Sequence, residues 1–560
     1  MIKKIFFSAV LFALTATNMQ AQSDIWPITV DIKQQGKPLK PIWAYFGYDE
    51  PNYTYMKDGK KLLSELASLS PVPVYVRAHN LLTTGDGEPA LKWGSTNAYT
   101  EDEKGNPVYD WSIVDSIFDT YIQRGMKPIV EIGFMPEALS THPQPYRHYW
   151  KPGVRYDSVY TGWAYPPKDY KKWEALVYEW VKHSIKRYGE TEIKTWWWEV
   201  WNEPNIGYWK GTQEEYFMLY DYAANAVKRA LPAAKIGGPS TTGPNWNKAA
   251  DYLKNFLLHC TAGKNFATGK KGSPLDFISF HGKGSPKVVN GHVQMNLSPE
   301  LNDVAKGFEI VMASSFKHLP ILLTEFDPEG CAACGMTTNP ENAYRNGTMY
   351  SSYTASSFAL LYDLAEKYKV NLEGAISWSF EFENQKWFDG FRDLATNGIG
   401  KPVLNVFRMY GLMKGNRIKV ENANEIPLDS LLKNSVRSHI PDIHALASAD
   451  KTSTSVMVWN YHDADIAAEA SAVKLVIKNI PAKKVLLQHY RIDAMHSNAY
   501  EVWKKMGSPQ NVTEEQYKTL EKEGQLQLLN SPGWINTANG NAVIDLLLPR
   551  QGVSLLRLNY

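Results

Sequence analysis

Two glutamates stand where short apolar runs end. The first closes Trp196-Trp197-Trp198-Glu199-Val200-Trp201-Asn202-Glu203-Pro204-Asn205, and the second closes Ile321-Leu322-Leu323-Thr324-Glu325-Phe326-Asp327. A carboxylate in such a place is costly unless it is paired or opens on a solvated cleft. Two opposed carboxyls are the minimum equipment for cutting a glycosidic bond. One protonates the leaving oxygen, while the other attacks the anomeric carbon or activates water. The proton donor needs a raised pKa and its partner must stay ionised. The bland alternative is a pair of glutamates salt-bridged to Arg or Lys in a barrel without catalysis. It suits either residue taken alone, but the two motifs together favour chemistry.

Other apolar runs end in groups that fit the same site. Asn202, just before the first glutamate, can bond a sugar hydroxyl beside the anomeric centre. Val76-Arg77-Ala78-His79-Asn80 offers Arg77 to hold a carboxylate ionised and His79 to bind hydroxyls. Ser279-Phe280-His281-Gly282 offers His281. Trp378-Ser379-Phe380-Glu381-Phe382-Glu383 offers Trp378 as a sugar platform and Glu381 or Glu383 for distal hydroxyls. A lone His is more often a core or loop residue, and the last two glutamates read equally well as surface charge.

Something must bring these run ends together. Eight strand candidates can be read at Ile42–Gly47, Val72–Arg77, Lys127–Ile132, Thr195–Val200, Ala234–Gly238, Leu275–Phe280, Ile321–Glu325 and Gly374–Phe380. Helical patterns separate them, for example Trp111–Arg124, Pro167–Tyr188, Gln213–Arg229, Leu301–Ser315 and Tyr350–Tyr368. Eight βα pairs predict a (β/α)₈ TIM barrel over 40–415, which carries functional groups at the C-terminal ends of its strands. The insertion Met135–Pro166, rich in Pro, Tyr, His and Trp, is expected at the site mouth. Residues 416–560 return to strand-like patterns, including Val456–Tyr461, Val473–Ile477, Lys484–Ile492 and Val543–Leu548, with a helical or loop insertion at Tyr500–Gly524. They predict an accessory C-terminal β-sandwich. Residues 22–39 alternate like a strand and are expected to pack on that β-domain.

Residues 1–21 have the form of a signal peptide: Lys3 and Lys4, then an apolar stretch from Ile5 to Ala16, then Ala21. The stretch is too short to span a bilayer, so the expected product is secreted or periplasmic, with no membrane partner. Lys+Arg at 60 nearly balances Asp+Glu at 58, giving no global field for nucleic acid. Cys331-Ala-Ala-Cys334 lacks the further ligands zinc needs, so it reads as a local disulfide or two inert thiols. No metal and no cofactor is expected. Oligomeric state is not legible.

Trp201-Asn202-Glu203-Pro204-Asn205 and Thr324-Glu325-Phe326 resemble the clan A glycoside hydrolases. With Val76-Arg77-Ala78-His79, the stretch from Trp111-Ser112-Ile113-Val114-Asp115 to Phe134-Met135-Pro136, Tyr170-Lys171-Lys172-Trp173 leading to Arg187-Tyr188-Gly189, and Asp276-Phe277-Ile278-Ser279-Phe280-His281, the chain resembles glycoside hydrolase family 39, the β-xylosidase and α-L-iduronidase family. The resemblance covers roughly residues 40–415. It implies a retaining mechanism with Glu203 as acid/base and Glu325 as nucleophile, and sugar contacts from His79, Asn202, His281 and Trp378. The expected substrate is an oligosaccharide or glycoside, β-xylosidase-like on plant polysaccharide fragments. Iduronidase, arabinosidase and endo-glycanase activities are the alternatives. A carbohydrate-binding barrel without catalysis is the reading from another class, and the presence of both glutamates speaks against it. The chain departs from the family pattern around His79, where Ala78 and Asn80 replace common glycines, and at the Cys331–Cys334 pair.

Overall fold

The computed structural model describes residues 25–69 and 71–560. The segment read as a signal peptide lies outside the described residues. None of the described helices is long and apolar enough to cross a membrane.

The barrel runs through β2 (Tyr45–Tyr48), β3 (Tyr75–Ala78), β4 (Lys127–Ile132), β5 (Trp197–Val200), β6 (Lys235–Thr241), β7 (Phe277–Lys283) and β8 (Pro320–Asp327). It closes through β9 (Asn371–Ala375) and β10 (Ser377–Trp378), two pieces of one strand interrupted at Ile376. β9 pairs parallel with β8, and β10 pairs parallel with β2. One long helix follows each strand: α1 (Lys57–Ala67), α2 (Ser112–Ile122), α3 (Tyr170–Tyr188), α4 (Gln213–Ala230), α5 (Asn247–Ala262), α6 (Leu297–Met312), α7 (Thr348–Tyr368) and α8 (Pro402–Leu412). The strands are buried on both faces, which is why they read as continuous apolar runs rather than alternating ones. Helix starts follow local chemistry. Thr212 and Glu215 form a capping box on α4, and Asp169 accepts two backbone N–H groups at the start of α3.

The first two barrel strands begin about three residues later than the apolar runs that announce them. Ile42 and Trp43 lie in a turn ahead of β2, buried by tertiary packing rather than by pairing. Gly47 matters locally. A side chain there would meet the Trp378 ring, with a Cβ only 2.4 Å from Cζ3, so the glycine lets Trp378 lie against β2.

The second body is one mostly antiparallel sheet. It contains β1 (Trp26–Pro38), β11 (Asn416–Asn422), β12 (Asp442–Ala449), β13 (Ser453–Tyr461), β14 (Ser471–Lys478), β15 (Lys484–Ile492), β16 (Ala542–Leu548) and β17 (Val553–Asn559), in the order β15-β17-β13-β12-β11-β1-β14-β16. β1 pairs antiparallel with β11 and parallel with β14. Ile28, Val30, Leu475 and Ile477 from one end meet Val456, Val458, Leu556 and Leu558 from the other in a single apolar core. The sheet thus bends over its own apolar face, as a sandwich does. The segment expected as an insertion holds two helices, Ala499–Lys505 and Glu514–Glu523.

Candidate active site

The C-terminal strand ends meet around Arg77, whose side chain is fully buried. Glu131 and Glu199 are direct neighbours across β4 and β5, and burial pushes the Glu131 carboxyl well above its usual range in spite of a shared cation. Arg77 supplies it, with Nη2 2.7 Å from Glu131 and Nε 2.6 Å from Glu199. The same guanidinium donates to Asn202 Oδ1 at 3.0 Å and Ser240 Oγ at 3.1 Å, and lies 3.5 Å from Glu325. Asn202 Nδ2 finds no partner among the described residues. It is a buried donor free to meet a ligand.

Strand period explains why several functional groups come in pairs two residues apart. Residues i and i+2 share a face, which groups Arg77 with His79, His281 with Lys283, and Glu325 with Asp327. The β7–β8 register then sets Glu325 beside His281 and Asp327 beside Lys283. Glu203 arrives differently, on a turn rather than a strand. Trp201 (φ 70°) and Glu203 (φ 43°) both adopt the left-handed region, a strain held in place by the bond from Glu203 N to Ser240 O at 2.8 Å.

The two glutamates have different surroundings. Glu203 is partly open to the cavity and has His281 Nδ1 at 2.9 Å from Oε1. Glu325 is buried, with Lys283 Nζ at 2.7 Å, His79 Nε2 at 3.5 Å and His281 Nδ1 at 3.9 Å. Burial opposes its charge. Lys283 foremost, then His281 and His79, outweigh that cost and hold the carboxyl well below its usual range. Burial pushes His79 down to about 3, so it stands as a neutral imidazole. Glu203, His281 and Glu325 each place one ligand atom within 4.8 Å of the others. That spacing could seat a metal ion, but Lys283 and Arg77 already bring positive charge to Glu325 and would repel one.

A cavity of about 830 Å³ opens above these groups, lined by Asp49, Glu203, Lys283 and Glu325. Its outer wall comes from the Met135–Pro166 insertion through Trp150, Tyr156 and Tyr160, and from the β8–α7 loop through Cys331, Cys334 and Asn339. Cys331 and Cys334 form a disulfide there. Arg345 holds that loop by donating to the carbonyls of both cysteines at 3.0 Å. A larger cavity of about 1170 Å³ lies between α7 and the sheet, lined by Asp363, Arg417 and His444. Carboxylates there are taken up by structural pairs, Asp363 and Glu366 with Arg417 and Glu425 with His444, so size alone does not identify the site.

Of the residues singled out from the sequence, Glu203, Glu325, His79, Asn202, His281 and Trp378 come together. Glu381 and Glu383 do not join them. The turn after Trp378 carries Glu381 to the backbone N–H of Gly398 and Glu383 to that of Asp58, at 2.8 Å for the latter. The sequence patterns do not single out Lys283, Asp49, Lys92, Asp327 or Arg392. Asp49 follows Tyr45-Phe46-Gly47-Tyr48, so the strand-end rule that found Glu325 would have found it. Lys283 and Asp327 follow from the i, i+2 rule. Lys92 and Arg392 lie on loops that carry no such signal. Burial, reinforced by Arg392, lowers the Lys92 ammonium to about 7.

The model of a family described as glycosyl hydrolases family 39 matches residues 26–527. A β-xylosidase of Caldicellulosiruptor saccharolyticus is 28% identical over 457 residues, covering 79% of this chain and 82% of that enzyme. An α-L-iduronidase of Mus musculus is 24% identical over 548 residues, covering 92% of this chain and 77% of that one. A monomeric β-xylosidase from Caulobacter crescentus CB15 shares the fold, with a TM-score of 0.73 at 23% identity over 95% of this chain and 99% of that one.

Proposed function

This chain belongs to glycosyl hydrolases family 39, and on that footing we propose that it is an exo-acting retaining glycosidase with Glu203 as acid/base and Glu325 as nucleophile. The observation that carries the reading is the approach of one Glu203 oxygen to within 4.8 Å of one from Glu325. Retaining enzymes hold their carboxyls ~5–5.5 Å apart, whereas inverting ones need ~6.5–9.5 Å to admit water. The surroundings support the division of roles. Glu325, kept ionised by Lys283, attacks the anomeric carbon. Glu203 gives its proton to the leaving oxygen and takes one back from water in the second step. Asn202 Nδ2 is free to donate to the hydroxyl next to the anomeric carbon. The loops that wall the cavity support action at a chain end.

The substrate class we propose is a neutral pentoside of the β-xyloside type, in line with the β-xylosidase relatives. Lys283 supports a second reading, a sugar carrying a carboxylate, because its ammonium lines the cavity. The neutral sugar is preferred because Glu325 and Asp327 already share that charge. We place the enzyme outside the cytoplasm. The Lys3-Lys4 apolar leader pattern supports this, as does a disulfide of the kind that persists in oxidising compartments.

The test is the anomer first released from an aryl β-xyloside, followed by proton NMR before mutarotation. Retained configuration is expected, and inverted product overturns the mechanism. A panel of aryl pentosides and uronides decides between the two substrate readings.

A further inference from the structure

Three carboxylates stand in a row along the cavity, separated by two imidazoles. Glu203 lies 2.9 Å from His281 Nδ1, and the same nitrogen is 3.9 Å from Glu325. Glu325 lies 3.5 Å from His79 Nε2, and the other nitrogen of that ring is 3.4 Å from Asp49. The proposed displacement uses the first two carboxylates and leaves Asp49 without a task. Chemistry fixes the direction of the row. The leaving group must lie at Glu203, and the anomeric carbon at Glu325. A pyranose extending from Glu325 along this shared cavity would bring the C3 and C4 hydroxyls, on the ring edge away from the leaving group, to Asp49.

Asp49 is built to remain there. It lines the cavity yet is only 4% exposed. Its Oδ1 accepts from Trp378 Nε1 at 2.9 Å, and its Oδ2 pairs with Lys92. Lys92 is itself buried, in the left-handed region (φ 57°), with its backbone N–H donating to Glu50 at 2.6 Å. Its ammonium lies 5.2 Å from the centre of the Tyr156 ring, another cavity wall. A buried lysine on a strained backbone is expensive, and here its ion-pair partner is a carboxylate facing the ligand space.

We propose that Asp49, positioned by Lys92 and Trp378, accepts a hydrogen bond from the C3 or C4 hydroxyl of the glycone and so determines which sugars the enzyme accepts. This rests on the assignment of Glu203 and Glu325 above. Lys92 acts through Asp49 as a positioning residue. A site built to bond a hydroxyl discriminates strongly against an analogue lacking it, because its buried polar group is then left unpaired.

The experiment compares the aryl glycoside that the wild type hydrolyses fastest with its 3-deoxy and 4-deoxy analogues. The wild type is expected to lose at least tenfold in kcat/KM on one of the two. Asp49→Asn is expected to lose at least tenfold on the parent and to treat parent and deoxy analogue almost alike. Lys92→Met should reduce the discrimination in the same direction, Lys92→Arg should restore part of it, and the double variant should lose no more than Asp49→Asn alone. If the wild type hydrolyses both deoxy analogues as fast as the parent, the inference falls, whether or not the variants fold. If Asp49→Asn keeps the full discrimination, it falls as well, with the double displacement untouched. An enzyme silent on every glycoside overturns the proposed function itself.

Discussion

The loop that carries Glu203 and the strand that carries Glu325 solve opposite problems a few ångströms apart. Glu203 sits on a strained turn, partly open to the cavity, with one imidazole beside it. Glu325 sits on a strand, just past a register shift at Thr324, and is buried with a lysine, an arginine and two imidazoles around it. A group that must exchange a proton with both a leaving oxygen and a water gains from access and from having few charged partners. A group that must stay an anion out of water gains from surrounding cations and fixed donors. The same residue type serves both roles because the chain delivers it on two kinds of backbone.

Deleting the anion should break this comparison most severely. Glu325→Gln keeps the shape but removes the nucleophile, and should lower kcat/KM on an aryl glycoside by ~10⁴-fold or more. Activity within tenfold of wild type would remove Glu325 from the covalent step.

Glu203→Gln should cost less, roughly 10²–10⁴-fold, and unevenly. An aryl leaving group of low pKa needs little protonation, so the first step should survive better on it than on an unactivated disaccharide. A loss equal on both substrates would contradict the acid role. Glu203→Ala opens room for azide, which should restore turnover and give a glycosyl azide of retained configuration. No rescue, or an inverted azide, would count against the assignment.

The contrast also shows how far sequence reading reaches. Eight apolar runs sufficed to anticipate the barrel, since parallel strands buried on both faces announce themselves as runs and not as alternation. The motifs around Glu203 and Glu325 were legible because each is local. What stayed hidden joins distant parts of the chain. Trp378 reaches Asp49, Lys283 divides itself between Glu325 and Asp327, and Lys92 leaves its loop to pair with Asp49. Glu381 and Glu383 show the reverse. Their position after a strand pointed toward the cavity, yet a tight turn sends both to backbone N–H groups.

Lys283→Met should sharpen the comparison by a smaller amount. With its largest favourable partner gone, the Glu325 carboxyl should rise toward its usual range. In the wild type this group is ionised from well below the ordinary carboxylate pKa upward. The sign follows directly. Any stability or activity that depends on its charge is present at neutral pH and lost only as pH falls through the depressed folded value. The variant should therefore lose kcat/KM at higher pH on the acid limb, with a change of roughly 10- to 100-fold at pH 7, the scale of one charged hydrogen bond of ~1.5–3 kcal/mol. A pH profile with an unmoved acid limb would show that Lys283 does not hold Glu325 ionised. An increase in activity on aryl uronides relative to pentosides would argue against the carboxylate-binding reading of that lysine.

The smallest effect on chemistry should come from a site that touches neither carboxylate. Ile28 is fully buried in the core of the second sheet, on a strand paired with both β11 and β14. Ile28→Ala removes apolar contacts and leaves a cavity, a loss of about 2–5 kcal/mol in that body. Denaturant unfolding should record the loss, while kcat and KM per folded molecule should stay within twofold of wild type. The two carboxylates owe their difference to partners on the barrel rim, and Ile28 belongs to a separate apolar core. If kcat fell with stability, the sheet would have to transmit its packing to the rim, and the contrast between Glu203 and Glu325 would no longer be a local property of the two backbones that carry them.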